Sequence, residues 1–213
     1  MPNHPHFLNP AGPLEITENR LPHWSQIGAC YFLTFRLTDS VPRELWEPYE
    51  AERRAWIQSH PDPWDETTTT EFHERFSGEL EKWLDRGLGS CVLKASPCAA
   101  TVAGALQHFE GTRSRMEAFV IMPNHVHALV QPLHDHSIAD LINSWKSFSA
   151  KQINRLMDTS GPVWQKSYFD RILRDWTHFA RVVRYIRRNP EKARLKVGEY
   201  LLWESDWIRK QWA

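Results

Sequence analysis

The chain has 213 residues, of which 41% are hydrophobic and 12% aromatic, and this supply of apolar side chains excludes a wholly disordered protein. Its 26 Lys and Arg residues balance its 26 Asp and Glu residues, so the formal net charge is zero. No run of about 18 apolar residues is present to span a membrane, and residues 1–25 lack the basic patch and apolar run typical of a secretory signal. Cys30, Cys91 and Cys98 lack the C-x-x-C spacing of a zinc knuckle. We therefore expect a cytoplasmic protein.

The charge is unevenly distributed along the chain. Residues 43–90 contain six basic and twelve acidic side chains, whereas residues 137–213 contain fifteen basic and eight acidic ones. Such asymmetry indicates either a localised nucleic-acid contact or a solvated basic helix, and charge alone does not decide between them.

The first half of the chain predicts an arm, a strand and two acidic helices. Residues 1–25 are rich in Pro, Asn and His and are typical of a poorly structured arm. Residues 29–37 are aromatic and β-branched, which favours a strand. Two helices follow over residues 43–58 and 70–86, separated by a Pro-rich break at 60–63, and a short strand is predicted over 91–95.

The second half predicts alternating helices and strands. Ser96-Pro97 opens a helix over 97–110, strands over 116–121 and 125–131 form a hairpin, and Ser137 has capping-box spacing for a helix over 137–157. A strand over 167–173 and a helix over 175–189, ending at Pro190, complete the pattern.

Without residues 43–95, the order of elements is β-α-β-β-α-β followed by one helix. This order predicts an α+β fold with a ferredoxin-like antiparallel sheet. We therefore expect one domain over residues 26–200 with an acidic helical insertion at 43–95, preceded by a flexible arm at 1–25 and followed by a tail at 201–213.

The sharpest local motif is the H-x-H pair His125 and His127. Residues two apart on a strand project from one face, so the two imidazoles lie side by side as candidate metal ligands. The bland alternative is a pair of solvated histidines, as expected for His4-Pro5-His6 and His134-Asp135-His136. The apolar, strand-like flanks of His125 and His127 favour a cation, because two desolvated rings need a compensating partner.

The segment from Tyr185 to Pro190 is the second motif. On the 175–189 helix, Tyr185 lies about 120° from the centre of the apolar stripe, so it is expected to face outward among guanidinium groups. Asn189, one turn later, lies beside it and can offer its carbonyl oxygen to the same site. The alternative is a surface tyrosine followed by a helix-ending Asn-Pro pair.

The third motif spans residues 164–171. Tyr168 is a competing nucleophile candidate, although on a strand it shares a face with Asp170 and Ile172 and a structural role is expected. Trp164 and Gln165 either contact a nucleic-acid base or buttress the neighbouring helix.

Together these motifs resemble a known family. The string FVIMPNHVH ending at His127, then Val163-Trp164-Gln165 with Tyr168-Phe169-Asp170-Arg171, then Tyr185-Ile186 with Asn189-Pro190, is similar to the single-tyrosine HUH transposases. Within them it is most similar to the REP-associated tyrosine transposases. The resemblance extends over roughly residues 25–200.

The resemblance implies a transposase-like enzyme that cleaves and rejoins single-stranded hairpin DNA through a 5′-phosphotyrosine. It implies that Tyr185 is the nucleophile and that His125, His127 and Asn189 bind a divalent metal, Mg²⁺ or Mn²⁺. The protein would act as a monomer or homodimer, away from membranes. The residues expected to contact DNA are Arg181, Arg184, Arg187, Arg188, Lys192, Trp164, Gln165 and Arg171.

Two rival functions remain open. One is a catalytically silent hairpin-DNA-binding protein of the same fold. The other is a metal-dependent hydrolase that uses the H-x-H pair with Asp170. The role of the acidic insertion is also open between DNA mimicry, partner binding and padding of the fold.

Overall fold

The computed structural model describes residues 5–13, 15–19, 21–61 and 64–211. Its strands are β1 (Glu15–Asn19), β2 (Leu21–Ser25), β3 (Tyr31–Arg36), β4 (Ser114–Ile121), β5 (His125–Pro132), β6 (Phe169–Ile172) and β7 (Leu201–Glu204). Its α-helices are α1 (Arg43–Ser59), α2 (Glu66–Phe72), α3 (Gly78–Asp85), α4 (Ser96–Gln107), α5 (Ile138–Met157), α6 (Trp176–Lys192) and α7 (Asp206–Gln211).

A five-stranded antiparallel sheet in the order β6-β3-β5-β4-β7 gives the chain an α+β fold. Strand β5 is central, and all its residues are buried because helices cover both faces of the sheet. Helices α4 and α5 pack on one face around Val126, Ala128 and Val130. Helix α6 packs on the other face, where it contacts the cluster that includes Leu129.

Both ends of the chain are more ordered than the sequence predicted. The expected arm contains the β1–β2 hairpin, and the amide of Leu8 donates to the carbonyl of Leu173 at 2.8 Å. Residues 1–4, 14 and 20 of that arm lie outside the described residues. The expected tail contributes β7, which pairs with β4, and α7. Pairing with the edge of the sheet satisfies backbone groups that a free tail would leave to solvent.

One predicted element and one predicted helix end were wrong for local reasons. The predicted strand at 91–95 is a 3₁₀ turn, Val92–Lys94, because the amides of Lys94 and Ala95 bond back to carbonyls three residues earlier at 2.9 and 3.2 Å. Helix α6 continues through Pro190 to Lys192. Proline removes one amide donor, and Pro190 is buried against the helix's neighbours, so packing offsets that loss.

The acidic insertion folds around an aromatic cluster of its own. Helix α1 begins at Arg43 as predicted, and α2 continues through a π-helical turn, His73–Ser77, into α3. The buried residues of this cluster are Val41, Tyr49, Trp56, Phe72, Phe76, Trp83 and Leu84. No helix within the described residues carries an apolar stretch that could cross a bilayer.

Candidate active site

The sheet register places the two histidines under helix α6. His127 lies opposite Thr34 of β3 and Val120 of β4, and His125 lies opposite Arg36. Alternation along β5 turns both imidazoles toward the same face as Leu129, which α6 covers. Each histidine is 1% exposed, so the predicted pair on one face is present and is buried.

Neighbouring polar groups fix the orientation of both rings. The Nδ2 amide of Asn124 donates to the carbonyl of Leu88 at 3.0 Å, which leaves its Oδ1 to accept from His125 Nδ1 at 2.8 Å. His127 Nδ1 lies 2.8 Å from the hydroxyl oxygen of Thr34. These bonds direct both Nε2 atoms into the site, as outer hydrogen bonds do for metal-binding histidines.

The two Nε2 atoms converge to 3.1 Å. Two ligands at right angles around an octahedral cation, each about 2.1 Å from it, lie about 3.0 Å apart. Burial lowers the pKa of His125 to about 3, and burial together with the neighbouring His125 lowers the pKa of His127. Both rings are therefore neutral at pH 7, the state in which imidazole binds a metal.

Asn189 supplies a third polar group with unmet hydrogen bonds. Its side chain is 1% exposed, and neither its Oδ1 nor its Nδ2 has a hydrogen bond of good geometry among the described residues, although the amide is near enough to the Tyr185 hydroxyl to favour its ionised form. A buried, unpaired amide is costly unless a ligand completes it. No cluster of three or more His, Cys, Asp or Glu side chains suited to a metal exists in the described part of the chain. A metal held by the two imidazoles would therefore take its further ligands from other groups, and the Asn189 oxygen is the candidate among them.

Tyr185 faces the histidines. Its hydroxyl lies 3.3 Å from His127 Nε2, and its ring packs edge-on against His127 and Phe32 with centroids 5.1 and 5.6 Å apart. The expectation that Tyr185 faces outward among guanidinium groups is met in part: it shares a cavity with Arg181, Arg184 and Arg188, but it is half-buried between α6 and the sheet. Burial, followed by the charge of the nearby Glu81 carboxylate, raises the pKa of Tyr185.

A basic cavity of about 260 Å³ opens beside this tyrosine. Continuation of α6 through Pro190 places Lys192 seven residues after Tyr185, on the same side of the helix. The side chains that line the cavity are Arg181, Arg184, Tyr185, Arg188, Asn189 and Lys192. Four of the residues predicted to bind DNA are thus together at the nucleophile candidate.

The other predicted DNA contacts are dispersed. Arg187 points away from the cavity and pairs with Glu204 of β7 through bonds of 2.6 and 3.2 Å. Trp164 is buried, packs edge-on against Phe35 and donates its indole N–H to Ser149 Oγ at 2.9 Å. The structure therefore favours the buttressing role for Trp164 over contact with a base.

Gln165 and Arg171 differ in their placement. The backbone of Gln165 bonds to the Arg36 carbonyl at 2.9 Å and accepts from Lys146 Nζ at 2.8 Å, so these contacts support the sheet edge. Arg171 lies opposite Phe32 on the face that carries the histidines, with its guanidinium 5.7 Å from the centre of the Phe169 ring. Only Arg171 of these two lies on the face of the candidate site.

The competing tyrosine lies on the opposite face of the sheet. Asp170 is opposite Leu33 in the β3–β6 register, and Tyr168 packs against the cluster that contains Leu33 and Ile172. The structural role expected for Tyr168 fits this position. The sheet separates Tyr168 and Asp170 from the histidine pair.

Sequence reasoning missed three groups at the site. Asn124 stands in the quoted motif but was given no role, and Thr34 reaches His127 from 93 residues away. Glu81 comes from the acidic insertion, and its carboxylate is near enough to Tyr185 to raise the pKa of the tyrosine. Only Asn124 had a local signal, its adjacency to His125.

Comparisons with known proteins were consistent with the motifs. Residues 103–189, which include both histidines, Tyr185 and Asn189, match the family described as "Transposase IS200 like". An uncharacterized protein of Haemophilus influenzae is 26% identical, and the match covers 43% of this chain and 57% of that protein. The chain thus spans little more than half the length of that relative.

Two solved structures share lower similarity. A REP-associated tyrosine transposase bound to a REP hairpin is 16% identical with a TM-score of 0.45, covering 83% of this chain and 74% of that one. A candidate transposase from Deinococcus radiodurans R1 is 16% identical with a TM-score of 0.35, covering 75% and 89%. The match over residues 103–189 is thus the clearest of these likenesses: this segment of the chain is similar to the IS200-like transposases.

Proposed function

We propose that the protein cleaves and rejoins single-stranded hairpin DNA on a ferredoxin-like domain, with Tyr185 as the nucleophile. The observation that carries the proposal is the position of the Tyr185 hydroxyl, 3.3 Å from His127 Nε2 in a site where the two histidine Nε2 atoms converge. Nucleophile and metal-ligand candidates must adjoin for a phosphodiester to contact both, and here they do.

The chemistry conserves bonds at phosphorus. The Tyr185 oxygen forms a bond to the scissile phosphorus while the bond to the 3′ oxygen breaks, and the proton that the tyrosine loses is balanced by the one that the 3′ oxygen gains. The product is a 5′-phosphotyrosine with a free 3′-OH. Reversal with another 3′-OH rejoins the strand without an external energy source.

His125, His127 and Asn189 would hold a divalent metal, Mg²⁺ or Mn²⁺. Imidazole nitrogen and amide oxygen suit these cations, and no thiol lies among the three. Such a cation would polarise the scissile phosphate and offset its developing charge.

The basic cavity would bind the DNA backbone. Arg181, Arg184, Arg188 and Lys192 surround Tyr185, and cationic side chains contribute sequence-independent affinity for phosphates. The solved REP-associated transposase was bound to a REP hairpin, and we extend a hairpin DNA partner to this chain as part of the proposal.

The two rival functions differ in how well they fit the site. A hydrolase that uses Asp170 fits poorly, because Asp170 lies across the sheet from the histidines. A silent DNA-binding protein would keep the basic cavity but form no covalent product.

The test is to incubate the protein with Mn²⁺ and a labelled hairpin oligonucleotide from repeats that flank its gene, followed by a denaturing gel. We expect a labelled band of protein size that is lost in Tyr185→Phe and kept in Tyr168→Phe. Cleaved DNA without this band would indicate hydrolysis. Binding without cleavage would indicate the silent protein and would contradict the proposal.

A further inference from the structure

The acidic insertion contacts the candidate site through its last helix. Lys192, which lines the basic cavity, pairs with Asp85 at 2.9 Å and with Glu81 at 3.6 Å, both from α3. The side chain of Asp85 is 16% exposed and that of Glu81 is 33% exposed, whereas Lys192 is 50% exposed. The contact therefore lies at the rim of the site, partly screened by solvent.

The Glu81 carboxylate also faces the nucleophile candidate. Its charge and its capacity to accept from the tyrosine hydroxyl both raise the pKa of Tyr185. A phosphodiester that approached Tyr185 in this arrangement would meet two carboxylates of its own sign, which electrostatics disfavours.

The candidate metal ligands are closed off from solvent, although the cavity beside Tyr185 is open. His125, His127 and Asn189 are each 1% exposed, although a scissile phosphate must approach these groups in the proposed reaction. The Lys192 ammonium can form an ion pair with the carboxylates of α3 or with a DNA phosphate, but it cannot pair closely with both at once. DNA and α3 therefore compete for the same position.

Helices α1 to α3 of the insertion contribute no residue to the two clusters that pack against the sheet, and their own aromatic cluster is separate from both. The later part of the insertion stays with the sheet, because Leu93 belongs to the cluster that contains Val126. Other contacts of residues 43–85 with the sheet layer include a ring contact between His73 and Phe169, with centroids 5.8 Å apart, and the guanidinium of Arg36 at 4.1 Å from the Trp46 ring. Polar and edge contacts of this kind separate at lower cost than a buried apolar interface.

We propose that helix α3 is an autoinhibitory lid, in which Glu81 and Asp85 occupy the phosphate position beside Tyr185 and Lys192 until DNA displaces them. This inference rests on the proposed function, since it concerns access of DNA to that site. It assigns to the acidic insertion the role of an internal phosphate mimic.

The first test compares the full-length protein with the double variant Glu81→Gln/Asp85→Asn, which keeps side-chain shape and removes both charges. The control is Glu44→Gln/Glu47→Gln, which removes two carboxylates from α1 of the same insertion and leaves the Lys192 contacts in place. Binding of the labelled hairpin is measured by fluorescence anisotropy and adduct formation by denaturing gel, after circular dichroism has verified folding.

We expect the α3 variant to bind the hairpin about three- to tenfold more tightly than the wild type and to form adduct faster, with the control near wild type. An equal gain in hairpin affinity in both variants would show that the effect comes from the net charge of the protein, and would contradict the lid proposal. Weaker binding or slower adduct formation in the α3 variant would mean that Glu81 and Asp85 assist the reaction, which also overturns it.

Failure of the lid and failure of the proposed function are distinguishable. If no variant forms an adduct but the α3 variant alone binds more tightly, the nuclease proposal is wrong and the lid stands. If none of the proteins binds the hairpin, both proposals are wrong.

Hydrogen exchange provides a readout that does not depend on catalysis. Addition of the hairpin should increase amide exchange in 78–85 and leave the exchange of 96–107, in α4, unchanged. Greater protection of 78–85 in the complex would show that α3 stays on the site when DNA is bound, and would contradict the lid.

Discussion

Acidification of the metal-free protein should destabilise it through the buried histidines. The folded-state pKa of His125 is about 3, whereas an unfolded histidine titrates near 6.5. Between these values the unfolded chain binds more protons than the folded one, so stability falls as the pH falls. From pH 7 to pH 5, His125 alone should remove about 2 kcal/mol from the free energy of unfolding.

The assay is urea unfolding at pH 7 and pH 5 in EDTA, for the wild type and for His125→Gln, which lacks the titrating group. The variant should lose about 2 kcal/mol less than the wild type over this interval. The difference between the two proteins matters, because the buried carboxyls Glu81 and Glu117 have raised pKa values and act in the opposite direction. His134→Gln, at an exposed position, serves as the control and should follow the wild type. If the wild type and His125→Gln lost equal free energy of unfolding, His125 would be shown to ionise readily in the folded state. That result would refute the inference that His125 is neutral at pH 7.

Further predictions concern the metal and the DNA backbone. Mn²⁺ at 100 times its dissociation constant should stabilise the protein by about 2.7 kcal/mol and raise the melting temperature by about 5–10 °C. Asn189→Leu should keep or gain about 1 kcal/mol of stability, since it removes an unpaired buried amide, yet lose most of the Mn²⁺ shift; an undiminished shift would exclude Asn189 as a ligand. Arg184→Gln should reduce the slope of log affinity for single-stranded DNA against log salt by about 0.7, whereas Arg187→Gln, whose guanidinium pairs with Glu204, should not change it. Equal slopes for the two variants would contradict the assignment of the cavity as the backbone site.

Local patterns were sufficient to predict the main parts of the candidate site. Strand alternation places His125 and His127 on one face, and helical spacing places Asn189 beside Tyr185. Four of the predicted strands form the order β6-β3-β5-β4 of the sheet. These features depend on residues close in sequence, where periodicity determines side-chain direction.

Features that depend on tertiary contacts could not be predicted from sequence patterns. Thr34 reaches His127 through the sheet register, and Glu81 reaches Tyr185 through the docking of a separate helical unit. A helical wheel shows only which residues of α6 form the apolar stripe, so it predicted an exposed Tyr185. In the structure the Tyr185 ring lies at the edge of that stripe, where it packs against Phe32 and His127 of the sheet. The continuation of α6 past Pro190 likewise results from packing that overrides a local preference.

The central claim concerns which atom attacks the phosphodiester. The most direct measurement is tandem mass spectrometry of peptides from protein incubated with Mn²⁺ and the hairpin oligonucleotide, labelled at its 3′ end. The account predicts a nucleotide attached through its 5′ phosphate to the peptide that contains Tyr185, together with the 3′ label on the protein. Attachment at Tyr168, which lies across the sheet from the histidine pair, or cleavage with no attached nucleotide, would contradict the account.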